Sequence, residues 1–289
     1  MDDDKSLSEI FEQQRPRLRG VAYRMLGSLS EADDAVQEAW LRLSRADHAE
    51  IDELGAWLTT TVARIALNML RARKTRSETR MPDPIVDGPG GPSPEHEVLL
   101  ANTVGLALQV VLETLSPAER VAFVLHDVFS TPFETIAPIL DRTPEATRQL
   151  ASRARRRVQA SHPSPDADRA AETSVVEAFR VAAASGDVLG LLAVLAPDVV
   201  LRADRGAVGG ALVELRGAER VARGAAAFSR LDLLRQPALI NGAPGLVCLL
   251  GDEPFAVMAF VVRGSKITEI DILRDPARLG RLDLGALPH

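Results

Sequence analysis

The chain has one cysteine among its 289 residues, so an internal disulfide is impossible. Cys248 lies in the apolar run from Leu246 to Leu250, which predicts a buried strand residue in a reducing compartment. The sequence has no signal peptide, and no apolar run approaches the roughly 20 residues that span a bilayer. These absences exclude a disulfide scaffold and a membrane-spanning protein, and we expect a cytoplasmic one.

Side chains suited to catalysis are also scarce. Aromatic residues make up 4% of the chain, and no His, Tyr or Trp lies between Ala170 and Pro288. General acid–base chemistry in that stretch would depend on carboxylates of the kind usually found at turns and surfaces. They are Asp198, Asp204, Glu214, Asp252 and Asp271. The five histidines are scattered, and no phosphate-loop, dinucleotide or zinc-ligand spacing is present. We therefore expect no enzyme activity, no cofactor and no metal.

Charge is unevenly distributed along the chain. The net charge is -6, with 26% charged and 46% hydrophobic residues, which is ordinary for a globular protein of two or three domains. Arg64 to Arg80 nevertheless carries six basic residues against Glu78, while acids gather from Glu31 to Glu38. Basic patches on an acidic body predict weak DNA binding alone, made effective by a larger partner.

The most informative stretch runs from Thr131 to Gln159. Phe133, Ile136 and Leu140 have helical spacing, and Thr143 followed by Pro144 predicts the start of a second helix. Two helices joined by so tight a turn form a helix-turn-helix. The inward stripe of the second helix is Thr147, Leu150, Ala151, Ala154 and Val158.

The outward face of that helix is rich in arginine, with six arginines and one acid between Arg142 and Arg157. Arg and Gln near the start of such a helix can pair with base edges, while later arginines hold phosphates. The DNA-binding candidates are Glu145, Arg148, Gln149, Ser152, Arg153, Arg155 and Arg156. The alternative is a solvated basic helix on an ordinary helical domain.

Two helices directly precede this region, one marked by Val104, Leu108, Val111 and Leu115 and one opened by a capping box at Ser116 and Glu119. Three more are predicted nearer the start of the chain. The first spans residues 8 to 26 and ends at Gly27. The second opens with a capping box at Ser30 and runs to Leu43. The third follows the acidic loop Asp47 to Glu53, with Trp57 beside its apolar stripe as either a core residue or a base-stacking platform. The second helix shows an outward face of Asp34, Gln37, Glu38 and Leu41.

Two breakers divide the chain. Met81 to Pro94 holds five prolines and three glycines and is expected to be a linker, and His162 to Asp166 closes the helical part. The predicted domains are residues 6–80, the linker 81–95, residues 96–161 and residues 170–287. The last combines helices at Thr173–Ala184, Val188–Leu195 and Ala218–Phe228 with apolar strand runs. The fold class is thus two all-α domains followed by an α+β domain. The runs are Ala238–Asn241, Gly245–Leu250, Phe255–Val262 and Ile267–Leu273.

Three segments together resemble an extracytoplasmic-function sigma factor of bacterial RNA polymerase, namely EADDAVQEAWLRL, WLTTTVARIALNMLRARKTR and the segment from Leu115 to Arg155. The resemblance implies that the protein binds polymerase core and promoter DNA. It implies that Asp34, Gln37, Glu38 and Leu41 contact the clamp helices of the largest subunit. It also implies that the 47–53 loop and Asn68, Arg71, Arg73, Lys74 and Arg76 hold the melted minus-ten element, and that the helix-turn-helix reads the minus-thirty-five element.

The C-terminal domain resembles a SnoaL-like domain of the nuclear transport factor two-like superfamily, an α+β cone found in a sigma subgroup whose activity it modulates. Any small-molecule ligand of this domain is left open. The resemblance implies a regulatory contact through Pro82, Pro84, Asp204, Gly206, Asp275, Pro276 and Leu279. The alternative function is a helix-turn-helix regulator with a ligand-sensing or enzymatic domain that acts without polymerase core.

Overall fold

The computed structural model describes residues 2–46, 51–75, 81–100, 105–161, 169–206 and 212–284. The chain divides into two compact units. The first comprises residues 1–78, 97–102 and 109–161, and the second comprises residues 79–96, 103–108 and 162–289. Within the described ranges, no helix is both long and apolar enough to cross a membrane.

Three long helices open the first unit: α1 (Asp2–Leu26), α2 (Leu29–Leu43) and α3 (Leu54–Thr75). Gly27 ends α1 in a left-handed conformation (φ 67°), which glycine adopts without steric cost, and its N–H donates to the Tyr23 carbonyl at 2.7 Å. The capping box predicted at Ser30 is wrong. Ser28 is the N-cap of α2, and its hydroxyl accepts from the Glu31 N–H, because the glycine turn leaves α2 to start two residues earlier.

The next helices along the chain are α4 (Pro94–Leu100), α5 (Gly105–Glu113), α6 (Pro117–Phe123), α7 (Phe133–Leu140) and α8 (Pro144–Ser161). The capping box at Ser116 and Glu119 opens α6, and a π-helical turn, Val124–Val128, follows it. Asp141 closes α7 in a left-handed conformation, and the Thr143 hydroxyl accepts from the Ala146 N–H at 3.2 Å. Thr147, Ala151 and Ala154 are buried, so the predicted helix-turn-helix and its inward stripe are present.

The C-terminal turn of α1 is capped by side chains from elsewhere in the first unit. The Arg73 guanidinium donates to the Leu26 carbonyl at 2.9 Å and that of Arg120 to the Met25 carbonyl at 2.8 Å. Gln109 donates to the Tyr23 and Arg24 carbonyls at 3.2 and 3.0 Å. These groups satisfy the Arg24, Met25 and Leu26 carbonyls, which lie in the last turn of the helix, and add a second donor to the Tyr23 carbonyl. We call this set of contacts the α1 cap.

The second unit is built on a mixed sheet, whose described strands have the order β1-β4-β5-β6-β7-β2-β3. All neighbours are antiparallel except β2 and β7. Helices α9 (Arg169–Ser185), α10 (Val188–Val194), α11 (Ala218–Ala227) and α12 (Pro276–Leu279) accompany the sheet. Phe179 of α9 packs edge-on against Phe260 of β6, with 5.2 Å between ring centroids. The strands are β1 Val86–Asp87, β2 Leu195–Asp204, β3 Val213–Arg216, β4 Leu233–Ile240, β5 Ala243–Leu250, β6 Glu253–Arg263 and β7 Lys266–Leu273.

The segment expected to be a linker is part of this second unit. Val86 and Asp87 pair antiparallel with Ile240 and Leu239, so β1 extends the sheet at one edge. Met81 to Gly88 are buried. The prolines stiffen the segment as expected, but its place is set by hydrogen bonds to residues more than 100 positions away.

Candidate functional site

The outward face of α2 is exposed as predicted from its spacing. Asp34, Gln37 and Leu41 are exposed, and the carboxylate of the half-buried Glu38 accepts from Arg42 at 2.9 Å. Leu41 is an apolar side chain with 38% of its surface in solvent. The opposite face, with Ala35, Val36, Ala39 and Leu43, is buried against the other helices. This face therefore combines two acids with an apolar side chain at its edge, which suits a protein partner.

The predicted DNA-reading face lies on α8. Glu145, Arg148, Gln149, Arg153 and Arg156 are exposed, and Ser152 and Arg155 are half-buried. The Arg148 guanidinium lies 5.2 Å from the centroid of the Phe133 ring of α7. Arg155 donates to Asp127 at 2.6 Å, and Arg153 lies 3.6 Å from Glu119. Arg148 and Gln149 are thus exposed near the start of the helix, while Arg153 and Arg155 further along are oriented by neighbouring acids.

Two carboxylates near the arginines of α8, those of Glu119 and Glu145, stay ionised. Burial acts to raise the pKa of Glu119, but hydrogen bonds from Ser116 and the charges of Arg157 and Arg153 hold it below its usual value. Hydrogen bonds from its own N–H and from Thr143 lower the pKa of Glu145. A negative charge at the first turn of α8 suits the positive end of the helix dipole.

The polar side of α3 is divided. Asn68, Arg71 and Lys74 are exposed and share one side of the helix, whereas Arg76 lies outside the described residues. The assignment of Arg73 to DNA binding is wrong. Only 8% of Arg73 is exposed, and its guanidinium donates to the Leu26 carbonyl and to Glu31 and lies 3.8 Å from Glu113. Its charge is used within the protein, since a long arginine can reach back across a helix face.

Replacing Arg73 with Met is expected to lower the free energy of unfolding by about 2–3 kcal/mol, because it leaves the Leu26 carbonyl and Glu31 without their buried partner. Lys74→Met next to it is the matched control, since Lys74 is exposed and should change stability by less than about 0.5 kcal/mol. Urea unfolding of the two variants measures both values. Equal stabilities would show that the Arg73 contacts contribute nothing.

Trp57 and the acidic loop complete the predicted minus-ten surface. Trp57 is half-buried at the start of α3. Residues 47–50 of the loop lie outside the described residues. Ile51 is half-buried, and Asp52 and Glu53 are exposed, with the Glu53 carboxylate accepting from the Ala56 N–H at 2.9 Å.

In the second unit, Arg278 of α12 joins the segments predicted to make a regulatory contact. Its guanidinium donates to Asp83 at 2.5 and 2.8 Å, to Asp204 at 2.7 Å and to the Met81 carbonyl at 2.6 Å. The Met81 N–H donates to Asp204 at 3.1 Å. Arg278, Asp83 and Asp204 are all buried. We call this network, together with Met81, the Arg278 clamp.

A second attachment follows along the same segment. The Ile85 N–H donates to the Asn241 side-chain oxygen at 3.0 Å, and the Asn241 N–H donates to the Ile85 carbonyl at 2.8 Å. Asp87 accepts from the Ser93 N–H at 3.0 Å and lies 2.7 Å from the His96 ring nitrogen. Residues 81 to 87 are therefore held by side chains as well as by strand pairing.

The predicted regulatory residues lie around the Arg278 clamp and differ in their burial and contacts. Pro82 and Pro84 are buried on either side of Asp83, and Leu279 is buried, whereas Pro276 is exposed. Asp275 caps α12 by accepting from the Ala277 N–H at 2.9 Å. Gly206 has a φ of 74°, and a Cβ there would lie 2.6 Å from the Asp275 carboxylate, so only glycine fits.

Sequence reasoning missed Arg278, Asp83, Met81 and Asn241. The signal for the first two was present, because one arginine and one aspartate lie inside the two segments already singled out. Opposite charges in segments expected to meet predict an ion pair. Asn241 carried no comparable signal, because its bonds to Ile85 depend on the turn between β4 and β5.

The carboxylates considered for catalysis are placed apart. Asp198 and Asp252 are exposed, and Asp204 belongs to the clamp. Arg216 donates to Glu214 at 2.7 Å, and Arg202 donates to Asp271 at 3.2 Å. Burial raises the pKa of Asp271 to about 6, although Arg202 opposes the shift. Among the described residues, no three His, Cys, Asp or Glu side chains form a group that could hold a metal.

An exposed acidic helix face, a basic α3 and a helix-turn-helix in this order define a sigma-70-type protein. The chain matches Sigma-70 region 2 over residues 10–76 and Sigma-70 region 4 over residues 105–158. It is 38% identical to the ECF RNA polymerase sigma factor SigJ of Mycobacterium tuberculosis over 92% of this chain and 91% of that protein. It is 34% identical to the probable ECF RNA polymerase sigma factor SigI of the same organism over 99% of each.

The crystal structure of the M. tuberculosis extracytoplasmic function sigma factor SigJ superimposes with a TM-score of 0.74 at 33% identity, covering 96% of this chain and 99% of that one. The chain belongs to the extracytoplasmic-function (ECF) sigma factors of RNA polymerase. The family and the fold class predicted from the sequence are thereby confirmed, including the C-terminal α+β domain. As a sigma factor it binds polymerase core and promoter DNA, which sets aside a regulator that acts without polymerase.

Proposed function

We propose that this ECF sigma factor tunes its own promoter use through its C-terminal domain, which holds the segment between the two sigma regions in one fixed path. The Arg278 clamp carries the proposal, because it ties Met81 and Asp83 to Asp204 through buried, charge-assisted bonds. Such bonds are about twice as strong as neutral ones. A domain can shift promoter binding only by its differential affinity for alternative placements of that segment.

The contacts of the two sigma regions are part of the same proposal. Asp34, Gln37, Glu38 and Leu41 bind polymerase core, and their exposure on α2 supports this role. Asn68, Arg71 and Lys74 hold the minus-ten element, with Arg76 an expectation from sequence alone. The exposed face of α8 reads the minus-thirty-five element. The protein acts in the cytoplasm, where the polymerase works.

The C-terminal domain acts without catalysis in this proposal. Of the five carboxylates considered, Asp198, Glu214 and Asp252 are exposed, Asp271 pairs with Arg202 on the neighbouring strand, and Asp204 belongs to the clamp. An acid–base catalyst needs a titratable group directed at a shielded substrate. In this proposal the domain acts by binding residues 81–87 and fixing their position.

Run-off transcription with polymerase core tests the modulation. The full chain is compared with a chain that ends at Ser161, and Asp83→Asn is introduced into both. We expect truncation and Asp83→Asn each to change promoter output, and Asp83→Asn to have no further effect in the truncated chain, because its partner Arg278 is then absent. Equal effects of Asp83→Asn in the two backgrounds would contradict control through the clamp.

Replacing Arg148 with Ala tests the reading face. If Arg148 reads a base, it should cost about 1–3 kcal/mol at one position of the minus-thirty-five element. Transcription from a library randomised over that element measures the loss position by position. Arg142→Ala, an exposed arginine in the turn before α8, serves as control and should leave base preference unchanged. A uniform loss over all sequences would assign Arg148 to phosphate instead.

A further inference from the structure

The C-terminal domain contains an apolar cavity that neither the clamp nor the sigma regions use. It lies between helices α9 and α11 and the sheet, and its volume is about 120 Å³. Phe179, Leu201, Leu215, Leu246 and Met258 contribute to its walls. A cavity lined in this way favours a small apolar group.

Three arginines interrupt the apolar lining: Arg205, Arg235 and Arg274. Arg274 lies over two aromatic rings, with its guanidinium carbon 4.3 Å from the centroid of Phe255 and 5.2 Å from that of Phe228. Its buried Nε has no hydrogen-bond partner in the described part of the chain. Arg235 donates to the Leu233 and Phe228 carbonyls, both at 3.0 Å. No Asp or Glu is among the described residues that line the cavity.

The positive charge is therefore not balanced within the cavity. Burial lowers the pKa of Arg274, and the nearby charge of Arg205 lowers it further. Cys248 does not supply an anion, since burial raises the pKa of its thiol to about 11 and the group is neutral at physiological pH. Two guanidinium groups beside an apolar space, without a carboxylate, create a site where a negative charge is stabilised and a neutral group is not.

We propose that this cavity binds a small apolar monocarboxylate, with its hydrocarbon part among the apolar walls and its carboxylate between Arg274 and Arg205. A guanidinium presents paired N–H donors that match the two oxygens of a carboxylate. The volume admits one ring or a short chain. The Nε of Arg274 gains an acceptor that no described residue provides.

The site is joined to the Arg278 clamp through the backbone. Arg205 follows Asp204 and Arg274 precedes Asp275, and the Arg274 N–H donates to the Asp204 carbonyl at 2.7 Å. A ligand that draws the two arginines together acts on the residues next to the clamp. This consequence for promoter use rests on the proposed function, whereas ligand binding does not.

Binding to the full-length chain is tested with phenylacetate and its neutral analogue phenylacetamide by titration calorimetry. We expect phenylacetate to bind more tightly by about tenfold or more, the value of one charge-assisted contact. Arg274→Gln and Arg205→Gln should each remove that preference. Arg223→Gln is the matched control, because Arg223 is exposed on α11 and pairs with Glu219 in the same helix.

Cys248 provides an independent readout, as the one cysteine in the chain lies in the cavity wall. Phenylacetate should slow its alkylation by iodoacetamide, followed at alkaline pH where part of the thiol is ionised, at least severalfold in the unaltered protein and in Arg223→Gln. It should do so much less in Arg205→Gln, whose exposed side chain can be removed without disturbing the fold. Equal binding of acid and amide, a preference that survives both arginine substitutions, or no binding and no protection of Cys248 would each overturn the proposal.

Discussion

Replacing both Asp34 and Glu38 with arginine in one variant is expected to abolish binding to RNA polymerase core. Both side chains lie on the outward face of α2, opposite the buried stripe of Ala35, Val36 and Ala39. Reversal turns two attractive contacts into repulsive ones, and like charges brought together at an interface cost several kcal/mol. The fold should survive, since Asp34 is exposed and the Glu38–Arg42 pair is a surface pair within one helix, a kind that contributes about 0.3–0.5 kcal/mol.

The control needs the same change of charge at another place. Asp252→Arg with Glu253→Arg, in the exposed turn between β5 and β6, changes the net charge equally and should leave core binding intact. Binding is measured by co-purification with core and by fluorescence titration at physiological salt. Circular dichroism and the melting temperature report the fold. Core affinity that is equal in both variants would remove α2 from the interface.

Arg278→Met is expected to release residues 81 to 87 from the C-terminal domain. The substitution leaves the carboxylates of Asp83 and Asp204 buried without their cation, which costs about 3–5 kcal/mol for a buried pair. Releasing the segment lets both carboxylates be hydrated, and this lowers the free energy by more than the lost contacts of the segment raise it. The amides of Ile85 and Asn241, which bond the segment to the β4–β5 turn, should exchange with solvent about 100-fold faster.

Two further variants make this result specific. Arg281→Met removes an exposed arginine just beyond α12 and should leave exchange unchanged. The triple variant Arg278→Met, Asp83→Asn and Asp204→Asn should restore much of the protection, because removing all charges of a buried network costs less than removing one. Hydrogen exchange followed by mass spectrometry measures all three. Full protection of residues 81–87 in Arg278→Met would mean that strand pairing alone holds the segment.

The sequence carried the elements whose causes are local. The α2 and α8 faces follow from helical spacing, and the turn between α7 and α8 from Thr143 and Pro144. The main strands of the C-terminal sheet follow from apolar runs between turn residues. In each case the nearest ten or fifteen residues decide the structure, so the pattern is visible without knowing the fold.

What could not be predicted depends on distant partners. Val86 and Asp87 were read as linker because prolines surround them, and they form a strand only because Ile240 and Leu239 offer an edge. Arg73 belongs to a basic run on a polar helix, yet its guanidinium turns toward the Leu26 carbonyl. Sequence spacing gives the direction of a Cβ but not where a long side chain ends.

The α1 cap has a consequence for how the first unit must work. The promoter elements read by the two sigma regions are named for positions about 25 base pairs apart, roughly 85 Å along duplex DNA. Helix α3, by contrast, is only about 33 Å long and packs against α6. On the proposed assignment of the two elements, we therefore expect Gln109 and Arg120 to leave the end of α1 when both elements are bound. Because the bonds that Gln109 and Arg120 make to α1 are polar, water can replace them. Breaking them therefore exposes less apolar surface than breaking a hydrophobic contact would. A stronger α1 cap in the free protein would therefore oppose initiation.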